Sequence, residues 1–192
     1  RGHVLMKDDA MKAIRILSAS TVLALAMGCG SAFASDTDTA SASAKADIIQ
    51  AITVSKTSDL AFGRAAIPTT AGTTTVVLST ANVQSGTADF VSTQTTSNAV
   101  FAVAGEGTYA YTPLITVTDA ALTGLSLSAM KAKCGAGADQ NLTLGSATAL
   151  TGCALTTGAD TVRVGGTLSI ATTATAGSAK TVGTIQVVVS YN

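Results

Sequence analysis

Acid–base and metal chemistry in proteins most often begins with histidine, whose pKa lies near neutrality and whose ring nitrogens bind metals. This chain has one, His3, within its first ten residues. Glu106 is the single glutamate, so any paired-carboxylate mechanism must draw on aspartates. Those stand in turn contexts such as "TSDL" around Asp59 and "TGAD" around Asp160, where an Asp side chain ordinarily bonds its own backbone. Asp36 and Asp38 supply too few oxygens for a calcium site. Lys131 and Lys133 leave a Ser–Lys pair formally open, but beside Cys134 they read as solvated side chains in a polar connection. "GEGTY", Gly105 to Tyr109, lacks the lysine of a phosphate loop and precedes a strand pattern, so it reads as a turn. Tyr109 and Tyr111 could line a sugar-binding face, although alternating strand positions more often serve packing. No catalytic, metal or cofactor site is expected, and the chain reads as non-enzymatic.

The remaining reactive residues are cysteines, and their chemistry depends on compartment. "MKAIRILSASTVLALAMGCGSAFA" has the three parts of a secretory signal peptide: Lys12 and Arg15, an apolar run from Ile16, and a small-x-small site at Ala32 to Ala34. The run is shorter than the ~20 apolar residues a membrane-spanning helix needs. Residues 1–10 read as an upstream extension, 11–34 as the signal, and Met11 as the initiator. Lipidation at Cys29 is the competing reading of "AMGC". With cleavage after Ala34, Cys134 and Cys153 remain. An even pair in an exported chain predicts one disulfide, contributing ~3 kcal/mol by the loop-entropy account. The mature part carries seven basic and nine acidic side chains, thinly spread. Such a balance excludes recruitment of nucleic acid or a membrane surface by a basic patch.

"SDTDTASASAKA", Ser35 to Ala46, is small and polar and reads as a flexible leader. From 47 onward, short runs of Val, Ile, Leu and Thr alternate with polar residues, with turn residues between them. The inward sets are Ile52/Val54, Leu60/Phe62, Thr74/Val76/Leu78, Phe101/Val103, Tyr109/Tyr111/Ile115/Val117, Leu125/Leu127, Leu142/Leu144 and Val162/Val164/Leu168/Ile170. Pro113 demotes its stretch to an edge or a bend, and Gly165-Gly166 predicts a bulge inside one long strand. Period-two patterning at this spacing predicts an all-β, antiparallel β-sandwich over residues 47–192. In the last run, "TIQVVVSYN", Ile185, Val187, Val189 and Tyr191 share one face.

Three stretches carry a family likeness: "ADIIQAITVSKTSDLAFG", "SNAVFAVAGEGTYAYTPLI" and "VGGTLSIATTATAGSAKTVGTIQVVVSYN". In this order they resemble the exported bacterial proteins called domain of unknown function 4402, which are similar to subunits of chaperone–usher fimbriae. The resemblance implies an immunoglobulin-like sandwich lacking its final strand, completed by strand addition from a partner. It implies export to the periplasm, a periplasmic chaperone and an outer-membrane usher as partners, and a place in a cell-surface fimbria with other copies of the chain or related subunits. Ile185, Val187, Val189 and Tyr191 then form one lip of the groove. Alternating Ala40, Ala42, Ala44, Ala46 and Ile48 become the candidate donor segment. A complete sandwich acting as a monomeric exported adhesin or sugar-binding module is the alternative. Two features depart from the fimbrial pattern: the cysteines lie in the second half, and the donor carries mostly methyl groups.

Overall fold

β-branched and aromatic residues alternating with Thr and Ser suit a pleated, half-buried surface, and the described residues form eleven strands from them. The computed structural model describes residues 38–91 and 95–192; the expected signal peptide, its cleavage site and Cys29 lie outside these. Among the described residues there is no helix. Asp38 to Lys45 is exposed and without regular structure, and the folded unit runs from Ala46 to Asn192.

The strands are β1 (Thr53–Ser58), β2 (Thr73–Leu78), β3 (Gln84–Gly86), β4 (Ala99–Ala104), β5 (Ala110–Asp119) and β6 (Leu125–Cys134). They continue as β7 (Gln140–Asn141), β8 (Ala147–Ala149), β9 (Cys153–Ala154), β10 (Ala159–Ala171) and β11 (Gly183–Tyr191). In the larger sheet β10 is the axis. One side of it pairs with β4 and then, past Val164, with β2; its other side pairs with β6. β1 adds to β4, β3 to β2, and β7 to β6. The smaller sheet holds β5 at its centre, with β11 on one side and β8 and β9 on the other. Taking β1, β4, β5, β6, β10 and β11 as A to F, the sheets read A-B-E-D and C-F. This is the immunoglobulin arrangement with, among the described residues, no strand on the outer side of F.

Between the sheets, Tyr111, Ile115 and Val117 of β5 meet Val76, Leu78, Val103, Val162 and Val164 of the larger sheet, all at most 1% exposed. On one flank the Cys134–Cys153 disulfide, Cα–Cα 5.5 Å, ties the end of β6 to β9. The expected bulge falls on the partner strand instead. From Gly165 to Thr167 β10 advances two residues while β6 goes from Lys131 to Ser128, so the extra residue lies in β6, where Ala129 has a positive φ of 44°. β10 itself runs through Gly165-Gly166 without a break.

Several expectations are corrected. Pro113 is neither at an edge nor at a bend but mid-strand in the central β5, fully buried. Its carbonyl accepts the Leu150 N–H (2.9 Å), so its backbone faces the interval between β8 and β9, where no strand requires the missing donor. Leu60 and Phe62 pack on the core from a loop, flanking an isolated bridge at Ala61, and Leu142 and Leu144 follow β7 rather than forming a strand. Lys131 and Lys133 lie on β6, not in a connection.

Tyr111 is 1% exposed and its hydroxyl donates to Asp160 Oδ2 (2.7 Å), joining the two sheets. It therefore cannot line a sugar-binding face. Burial, then the Asp160 hydrogen bond and charge, hold its phenol far above the ordinary value of 10. In the unfolded chain this group loses its proton at an ordinary pKa while the folded chain keeps it. Stability is thus fully present below pH ~10 and falls by about 1.4 kcal/mol per pH unit above it. Urea titrations between pH 9 and 11.5 should show that fall, and a flatter profile in Tyr111→Phe; parallel profiles would count against the Tyr111–Asp160 assignment.

Candidate assembly edge

β11 pairs on one side only. Among the described residues no strand joins its other edge, and none joins the outer edge of β1. These two edges, one from each sheet, lie next to one another.

Backbone direction along β11 follows from its neighbour. The carbonyls of Pro113 and Val117 accept N–H groups of Leu150 and Gly145, whereas that of Ala110 accepts from Asn192. Odd-numbered residues of β5 therefore turn their backbone groups away from β11 and even-numbered ones toward it. The register pairs Pro113 with Val189, Ile115 with Val187, and Val117 with Ile185. Facing residues of an antiparallel pair either both bond across or both point away. Ile185, Val187 and Val189 thus direct N–H and C=O to the free edge. The same reasoning applies to β1. Gly105 N–H donates to the Gly158 carbonyl, so odd residues of β4 face β10, and Val54, opposite Val103, turns its backbone outward.

Side chains tell the same story. Ile185, Val187 and Val189 point into the sandwich yet stay only half-buried, while their partners Val117 and Ile115 are 0% exposed. Val54 and Ile52 on the facing edge are also half-buried. Between β1 and β11 the core is open to solvent along a seam lined by valines and isoleucines. Such an edge is an invitation to strand pairing.

Tyr191 closes one end of the seam. Its hydroxyl accepts the Glu106 N–H (2.6 Å) and donates to the Gln50 carbonyl (2.8 Å). Gln50 N–H in turn donates to Glu106 Oε2 (3.2 Å), and the Tyr191 ring meets Tyr109 edge-on at 5.8 Å. Gly105 is required here, because a Cβ would overlap the Tyr191 hydroxyl. Tyr109, expected to point inward, precedes β5 and is 41% exposed. The candidate donor residues Ala40, Ala42, Ala44 and Ala46 are exposed, and Ile48 is 95% exposed. The contacts of Tyr191 reach across the chain to Gln50 and Glu106, which no local pattern reveals.

Among the described residues no group of three or more His, Cys, Asp or Glu could hold a metal ion. No helix among them is long and apolar enough to cross a membrane. A family model described as Domain of unknown function (DUF4402) matches residues 52–191, which runs from the start of the seam on β1 to Tyr191. The chain belongs to that family. No curated protein and no solved structure matches it.

Proposed function

We propose that this member of the DUF4402 family is a non-enzymatic structural subunit of a cell-surface fimbria, assembled by strand addition along β11. The observation that carries this reading is the conjunction at Ile185, Val187 and Val189: outward backbone groups and half-buried apolar side chains on the same residues. An added strand would satisfy the first and cover the second, which is how extended segments are recognised at sheet edges. The segment Ala40–Ile48 of another copy is the donor. It is exposed, has no strand partner of its own, and alternates small side chains with one large anchor, Ile48. Methyl groups suit a shallow seam. Before assembly a periplasmic chaperone covers the edge, and an outer-membrane usher delivers the subunit to the surface.

The test uses the chain from Ser35 to Asn192 and a synthetic peptide spanning Ser35 to Ala51. The peptide should raise the unfolding midpoint in a concentration-dependent way, by ~2.7 kcal/mol at a hundredfold excess over its Kd, and should suppress self-association. A stable monomer indifferent to the peptide would mean that the sandwich needs no added strand, and the fimbrial reading would fall.

A further inference from the structure

If the donor is Ala40–Ile48, very little chain separates it from the domain it belongs to. Gln50 is fastened to that domain by both its N–H and its carbonyl, through Glu106 and Tyr191. Only Ile49 stands between this fixed point and the anchor Ile48. An extended chain advances at most ~3.6 Å per residue, so the two Cα atoms lie no more than about 7 Å apart. A copy that holds Ile48 in its seam is thereby brought against whatever surrounds Gln50. That neighbourhood is the β4–β5 turn, Gly105 to Tyr109, whose Glu106 carboxylate accepts the Gln50 N–H and whose Glu106 N–H holds the Tyr191 hydroxyl that bonds the Gln50 carbonyl. Thr108 and Tyr109 of this turn are exposed, and Tyr109 offers a large apolar ring at 41% exposure.

We infer that the Gly105–Tyr109 turn is a second contact surface between consecutive copies, seated on the rim of the seam that receives Ile48. This inference rests on the donor-strand reading and adds to it that the joint is short and packed rather than a flexible tether. A second copy of this chain is the partner. Aromatic side chains are enriched at such contacts because they bury much apolar area with little loss of conformational freedom.

Hydroxyl-radical footprinting of the wild-type mature chain, read by mass spectrometry, needs no substitution. Oxidation of Tyr109 is compared between monomer and fibre, with Leu114 as the internal control; Leu114 is 40% exposed on the outer face of β5. Tyr109 oxidation should fall at least about fivefold in fibres, as expected for a side chain entering a packed interface, with Leu114 unchanged. Fibres in which Ile48 is protected and Tyr109 is not would overturn the second contact and leave donor-strand assembly standing. If the wild-type chain forms no fibres in which Ile48 is protected, donor-strand assembly itself fails and the joint falls with it.

Discussion

Val187→Asp should leave the domain folded and abolish its capture of the leader peptide, while Val188→Asp should change neither. The two valines are neighbours on β11 with opposite faces. Val187 points into the open seam and is half-buried; Val188 points away and is 53% exposed. In the open state an aspartate at 187 keeps access to water along the seam, so the cost to folding is modest. Once a donor strand lies over the seam, that carboxylate is enclosed among Ile185, Val189 and Val54 with no cation nearby. Burying an unpaired charge costs several kcal/mol, and each 1.4 kcal/mol is tenfold in affinity, so capture should weaken by at least about a hundredfold. Fluorescence anisotropy of a labelled Ser35–Ala51 peptide, with urea unfolding of both variants, separates the effects. Equal peptide binding by Val187→Asp and the wild type would sink the edge assignment. A Val187→Asp chain that cannot fold at all would instead describe a seam already closed.

The larger strands were legible because their inward faces are built from Val, Ile, Leu and Phe at strict period two, as in Val76/Leu78 and Val162/Val164. The unbroken parity of Val162, Val164, Leu168 and Ile170 marks one long strand, but the bulge read at its Gly165-Gly166 pair lies opposite, at Ala129 of β6, where no glycine announces it. β3, β8 and β9 could not be read, because two or three residues of Gln, Ser, Gly, Ala, Thr and Cys carry no periodicity and are held only by their neighbours' register. Pro113 misled for a related reason. The rule that removes proline from central strands concerns the missing donor, and only the break between β8 and β9 shows that no acceptor awaits it. At the candidate edge, the alternation of Ile185, Val187 and Val189 was visible, but whether another strand covers it is a tertiary fact. Tyr191 was singled out by position and resemblance, yet its hydrogen bonds to Gln50 and Glu106 bridge segments 141 and 85 residues away in sequence. For Tyr111 the packing reading holds, but its hydroxyl's partner Asp160, which looks like a turn residue, lies on the other sheet and no local pattern reveals it.

At Gly165 the fold has no room for a side chain, and Gly165→Val should cost at least about 4 kcal/mol, the range reached only when a core has no room to relax. Here β10 exchanges one partner, β4, for another, β2, and the chain leaving β2 crosses directly above it. A Cβ at Gly165 would overlap the Leu78 carbonyl oxygen and lie 2.7 and 2.8 Å from the backbone of Ser79 and Thr80. None of these is a side chain that can rotate away. Nor can that backbone lift, because Thr80 is 3% exposed and held on both sides. Its hydroxyl donates to Asp139 Oδ1 (2.6 Å), and its carbonyl accepts from Asn98 Nδ2 (2.7 Å). The adjacent Gly166 is a sharp control. A Cβ there would collide with the Met130 thioether, the end of an unbranched side chain able to repack, so Gly166→Ala should cost only about 1–2 kcal/mol. Denaturant midpoints of the two variants, taken with the Cys134–Cys153 disulfide intact, give the comparison. Similar midpoints would mean that the β2–β3 connection yields as readily as a methionine, and that the Thr80–Asp139–Asn98 bonds do not hold it down.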